Sequence, residues 1–132
     1  MQRIRHKAQF DAVLKAPPCV KTPHFALHLV ERESAPEGLF PEEAAWLGVM
    51  LPKRWAKHAV TRNTLRRQIY AVGRDPATDL PHAAMVVRLR CGFSRQQFLS
   101  ATSDALKRAA RLELLHLLGA GLAARRSKGG HA

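Results

Sequence analysis

The sequence predicts a single small α/β (α+β) sandwich, in helix–strands–helix–strand–helix order with the helices packed on one central sheet. Three observations predict it. The 132 residues fit one ordinary domain, and 46% hydrophobic content supports a core rather than a disordered basic tail. Apolar runs with strand character alternate with segments of helical periodicity, the pattern of helices layered on a sheet. Proline and glycine fall at the boundaries between them. The domain is expected over 1–118, followed by a basic, disordered tail over 119–132 that contains Arg125-Arg126-Ser127-Lys128.

Each element follows in order. Ala8 to Lys15 fits a short amphipathic helix with Phe10, Val13 and Leu14 on one side, stopped by Pro17-Pro18. Phe25 to Val30 reads as a strand. Phe25, Leu27 and Leu29 point one way, and His24, Ala26, His28 and Val30 the other. Glu31 to Glu43, with Ser34, Pro36, Gly38 and Pro41, reads as a surface loop. Trp46 to Leu51 is nearly all apolar, the signature of a strand covered on both faces, and Pro52 ends it. Gly48 inside that strand marks close packing.

A second helix is expected over Ala59 to Val72. At ~100° per residue, Arg62, Asn63, Arg66, Arg67 and Tyr70 fall in one sector and Leu65, Ile69 and Val72 opposite. Ala83 to Leu89 is a further strand. Ser94 and Gln97 form a capping box that opens a helix to Leu118, with Phe98, Ala101, Ala105, Ala109 and Leu112 as its packing face. Gly119 and Gly121 are expected to end it.

Charge says most about partners. Lys and Arg number 22 against 10 acids, a net charge of +12 and a pI near 11.1, which makes a polyanion the default partner. Between Glu43 and Asp75 there is no acid, while Lys53, Arg54, Lys57, Arg62, Arg66, Arg67 and Arg74 repel one another. Such a run calls for an anion. Two cysteines, Cys19 and Cys91, build neither a disulfide framework nor a four-thiolate zinc site. No apolar run reaches the ~18 residues of a spanning helix, and Gln9, Asp11 and Lys15 interrupt any signal peptide. A cytoplasmic protein without a membrane role is the expectation.

Catalytic groups are sparse. Asp75 and Asp79 flank Pro76 and read as turn residues rather than an acid–base dyad. Cys19, His24 and His28 have ligand-like spacing, but Pro23 interrupts them and a fourth ligand is missing, so no metal site is expected. Trp46 reads as core; Trp55 is equally compatible with base stacking and with packing. No catalytic residue of the chain's own is expected.

The segment LGVMLPKRWAKHAVTRNTLRRQIY, Leu47 to Tyr70, resembles the signature of the bacterial ribonuclease P protein subunit. The resemblance extends over roughly residues 3–118. It implies a strand, a loop and the "RNR" helix over this segment, and one more strand near Val20 or just before that helix. It further implies a protein that assists a catalytic RNA in removing the 5′ leader of precursor tRNA. Its partners would be the RNA subunit and precursor tRNA, with no obligate protein partner. Magnesium would sit on the RNA, with no cofactor held tightly by the protein.

By the same resemblance, Lys53, Arg54, Lys57, Arg62, Asn63, Arg66 and Arg67 would bind the RNA, and Phe10 and His28 would line a leader cleft. The chain departs from the pattern at Thr64 and Tyr70, where further arginines are common, and at His28, often an aromatic. The alternative is a non-catalytic ribosomal or tRNA-binding protein, which shares the charge but not the motif. A self-sufficient nuclease lacks its acid–base cluster, and a membrane-surface binder would need Leu65 and Ile69 exposed.

Overall fold

A computed structural model of the chain describes residues 1–93 and 104–122. The elements are β1 (Gln2–Arg3), α1 (Lys7–Leu14), β2 (Val20–Lys21), β3 (Phe25–Val30), β4 (Trp46–Met50), α2 (Ala59–Arg74), β5 (Ala84–Leu89) and α3 (Asp104–Leu115). The strands form one mixed sheet of order β1-β4-β5-β3-β2. β4 and β5 run parallel, as a strand–helix–strand crossover through α2 requires, and β3 lies antiparallel to β5.

Alternation divides the side chains between two cores. Phe25, Leu27, Leu47, Val49, Met85, Val87 and Leu89 meet Leu65, Ile69 and Val72 of α2 and Ala110 and Leu114 of α3. The other face carries Trp46, Ala84 and Val86, covered by Ile4, Phe10, Val13 and Leu14 around α1. The α+β sandwich with helices on a central sheet is therefore present, and β2 supplies the additional strand near Val20. β1 has no counterpart in the sequence reading. Two residues carry no periodic pattern; they are a strand because Gln2 and Arg3 pair with Trp46 and Leu47 of β4.

Local chemistry sets the element ends. Gln9, buried inside α1, accepts through Oε1 from Arg5 N and His6 N at 3.1 Å each, closing a capping box. Asp75 accepts from Ala77 N at 2.9 Å, and Asp79 adopts the left-handed conformation at φ 49°, so both serve the turn after α2.

α3 corrects two expectations. Its buried residues are Leu106, Ala110 and Leu114, whereas Ala105 is exposed and Leu112 is 69% exposed. Apolar residues form two adjacent stripes here, and the core shared with α2 takes the one ending in Leu117, Leu118 and Leu122. Gly119 and Gly121 do not stop the helix. It widens into a π turn over His116–Gly121 and keeps Leu122 in the core, past the boundary expected at Leu118. The capping box at Ser94, the side chains of Phe98 and Ala101, and the tail beyond Leu122 lie outside the described residues.

Candidate nucleic-acid interface

The loop from β4 to α2 turns on Pro52, whose carbonyl accepts from Trp55 N at 3.0 Å and Ala56 N at 3.1 Å. Lys53, Arg54 and Lys57 stand exposed on this loop. The Arg54 guanidinium lies 5.1 Å from the centroid of the Trp55 ring, which is 36% exposed. Trp55 is thus a surface platform shared with a cation, rather than a core residue.

Arg62 does not point outward as its wheel position suggests. Its Nη1 donates to the carbonyls of Ala56 and Lys57, 2.9 Å each. The guanidinium ties the loop to the first turn of α2 and so fixes where Lys53, Arg54 and Lys57 stand. One turn on, Arg66 Nη1 donates to Asn63 Oδ1 at 3.1 Å, and Asn63, Arg66 and Arg67 are all exposed. Among the described residues, no carboxylate pairs with any of these cations.

The two departures on α2 are buried. Thr64 turns inward and donates through Oγ1 to the Val60 carbonyl at 2.9 Å. Tyr70 also leaves the cationic sector: it joins the core on this side of the sheet, and Arg3 lies 4.1 Å from the centroid of its ring. Burial raises the Tyr70 phenol above its ordinary value, opposed by the positive fields of Arg3, Arg66 and Arg5.

The opposite face of the sheet carries a second surface. Ala26, Arg88 and Met50 form one row across β3, β5 and β4; His28, Val86 and Gly48 form the next. Phe10 rests on the bare backbone of Gly48. A Cβ there would stand 2.7 Å from Phe10 Cε1 and 3.0 Å from Ile4 Cβ. The close packing expected at Gly48 is thus the seat of the α1 aromatic, which remains partly exposed.

The resemblance assigns His28 to the leader side of this cleft, but the ring is only 5% exposed. Its Nδ1 lies 2.8 Å from the Ala16 carbonyl, and Arg88 Nε donates to its Nε2 at 3.2 Å. Arginine cannot accept, so Nε2 is the acceptor and the ring proton sits on Nδ1. His28 is the support, and half-buried Arg88 is the polar group lying on the open face.

Sequence reasoning missed Arg88 and Arg3. Arg88 left a signal: it is the one charged residue on the α1 face of an otherwise apolar β5, where only an opening in the cover tolerates it. Arg3 left none, since its role depends on β1 pairing. Both ring nitrogens of His28 are engaged, by Ala16 and Arg88, and His24 Nδ1 lies 2.7 Å from Glu113 Oε1. Among the described residues no cluster of three His, Cys, Asp or Glu stands ready for a metal ion, and no helix is long and apolar enough to cross a membrane.

Exposed cations on α2 and its loop on one side of the sheet, with Phe10 and half-buried Arg88 on the other, define a small α+β protein with a strongly cationic surface. The family model described as Ribonuclease P matches residues 1–113. A ribonuclease P protein component of Bordetella petrii is 34% identical over 114 residues, covering 85% of each chain. One from Ralstonia pickettii is 31% identical, covering 87% of this chain and 75% of its own. The ribonuclease P protein of Staphylococcus aureus shares the fold with TM-score 0.64 at 18% identity, over 89% of this chain and 93% of that one. The Thermotoga maritima protein does so with TM-score 0.62 at 19% identity, over 89% and 96%. The chain belongs to the ribonuclease P protein family.

Proposed function

We propose that the chain is the protein subunit of a ribonucleoprotein endoribonuclease, assisting a catalytic RNA in removing the 5′ leader from precursor tRNA in the cytoplasm. The α2 face and its loop bind the RNA subunit through Lys53, Arg54, Lys57, Asn63, Arg66 and Arg67. Guanidinium forks engage phosphates bidentately, giving orientation as well as neutralisation. Arg62 contributes by holding the loop. The cleft between α1 and the sheet takes the single-stranded leader, with Phe10 as an apolar floor for unstacked bases and Arg88 along its backbone.

The observation that carries this reading is the α2 row: exposed guanidinium groups of a ribonuclease P family protein that no carboxylate among the described residues neutralises. Magnesium belongs with the RNA, because ammonium and guanidinium groups repel a divalent cation rather than ligate it. The test combines the purified chain, the ribonuclease P RNA and precursor tRNA at low magnesium. Cleavage that needs both protein and RNA is the expected result. Cleavage by protein alone would make it a nuclease in its own right, and binding without any stimulation of cleavage would make it a plain RNA-binding module.

A further inference from the structure

Arg66 is exposed on α2, and four-residue helical spacing places the next member of its row at position 70, where the helix carries a tyrosine. The vacancy is filled from another element. β1 pairs alongside β4, and Arg3 lies over the Tyr70 ring at 4.1 Å from its centroid. The docking is close: a Cβ on Gly73, one turn beyond Tyr70, would meet Leu47 Cδ2 at 2.6 Å and Met1 Sδ at 3.2 Å. The glycine leaves room for Leu47 of β4 beneath it, and the Met1 side chain lies alongside.

We propose that Arg3, stacked on Tyr70, completes the α2 guanidinium row and, with Arg5 and Arg66, grips a phosphodiester segment of the RNA subunit. The proposal rests on the RNA-subunit reading above and extends the contact surface to the N-terminal strand. Arg3 and Arg5 are exposed, and among the described residues neither side chain meets a carboxylate. The acid tied down at this edge, Glu42, accepts from Gln2 Nε2 rather than from either guanidinium. Arg3 lies against the Tyr70 ring, and the positive fields of Arg66 and Arg5 also reach its phenol, so the three charges stand on the same side of the molecule. A guanidinium held on an aromatic face has already lost much of its rotamer freedom, and five N–H donors remain for a phosphate.

The measurement is affinity of the full chain for the ribonuclease P RNA across a salt series. Arg3→Ala should weaken binding about three- to tenfold and make the log–log salt slope shallower by roughly one. Tyr70→Phe, which keeps the ring, should bind as the parent does. Tyr70→Leu should lose as much as Arg3→Ala, and adding Arg3→Ala to it should cost little more. An unchanged affinity and slope for Arg3→Ala, with Arg66→Ala impaired, would overturn the proposal and leave the α2 interface standing. If Arg66→Ala is unimpaired too, the interface itself is wrong. Should Tyr70→Leu fail to fold, the surface variant Arg3→Ala still decides.

Discussion

The two faces of the sheet hold the side chains proposed to bind RNA by opposite means. On the α2 side, Asn63, Arg66 and Arg67 are exposed, with Arg66 donating to Asn63, so their contribution is charge with adjustable reach. On the α1 side, Phe10 is wedged against Gly48, and Arg88 is pinned to a histidine that is itself pinned to Ala16. A folded RNA presents many phosphates at once, and a flexible cationic row meets them at little orientational cost. A single unstacked strand offers few contacts, so its site must be shaped in advance. The difference predicts that salt governs one face and packing governs the other.

The largest effect should come from the electrostatic face. With about five phosphates engaged, the log–log slope for RNA-subunit binding is roughly −4, and Arg66→Ala with Arg67→Ala should bring it to about −2. Thermal stability should stay within about 0.5 kcal/mol, because both side chains are on the surface. A stability loss with an unchanged slope would reverse the assignment of this face.

Packing should dominate across the sheet. Gly48→Val places methyl groups where Phe10 and Ile4 stand, and overpacking of this kind costs about 1–3 kcal/mol. The displaced ring should weaken precursor tRNA several-fold relative to mature tRNA in the assembled enzyme, and Phe10→Ala should do the same without the strain. Loss of equal size for both tRNAs would remove Phe10 from the leader site. Neither change should move the salt slope of RNA-subunit binding, and a shift there would mean that the two faces are not separable.

Much of this contrast was legible in the sequence, and for a physical reason. Strand alternation separates Leu47 and Val49 from Gly48, and helical spacing separates Leu65 and Ile69 from Arg66 and Arg67, so local periodicity assigns faces. What periodicity does not carry is the partner of each polar group. Arg62 lies in the cationic sector, yet two loop carbonyls claim it. His28 lies on the expected sheet face, yet its depth is set by Ala16, twelve residues earlier. Along α3, Leu106 and Leu112 both fit an apolar stripe, and only tertiary packing decides that the first is buried and the second exposed.

Arg62 offers the sharper test of the comparison because it belongs to both regimes, a cation in charge and a structural tie in geometry. Arg62→Ala should lower stability by about 1 kcal/mol through two lost hydrogen bonds, and weaken RNA binding by releasing the loop. Arg62→Lys keeps the charge but not the fork, and it should recover little of either. Full recovery by lysine would make Arg62 a simple phosphate contact like Arg66.

The smallest effect concerns Tyr70, where a buried ring meets the cationic surface. Burial raises its phenol above the ordinary value of 10.0, against the opposing fields of Arg3, Arg66 and Arg5. A folded-state pKa above the unfolded one means that the folded protein holds the proton more tightly. The associated stability is therefore complete below about pH 10 and is lost as pH climbs through the raised value. Tyr70→Phe has no such proton, so its unfolding midpoint should fall less steeply than the parent's above pH 10, with the two curves parallel below it. A steeper fall for Tyr70→Phe would mean that the guanidinium cluster outweighs burial and holds the phenolate, and position 70 would then belong with the electrostatic face rather than with the core.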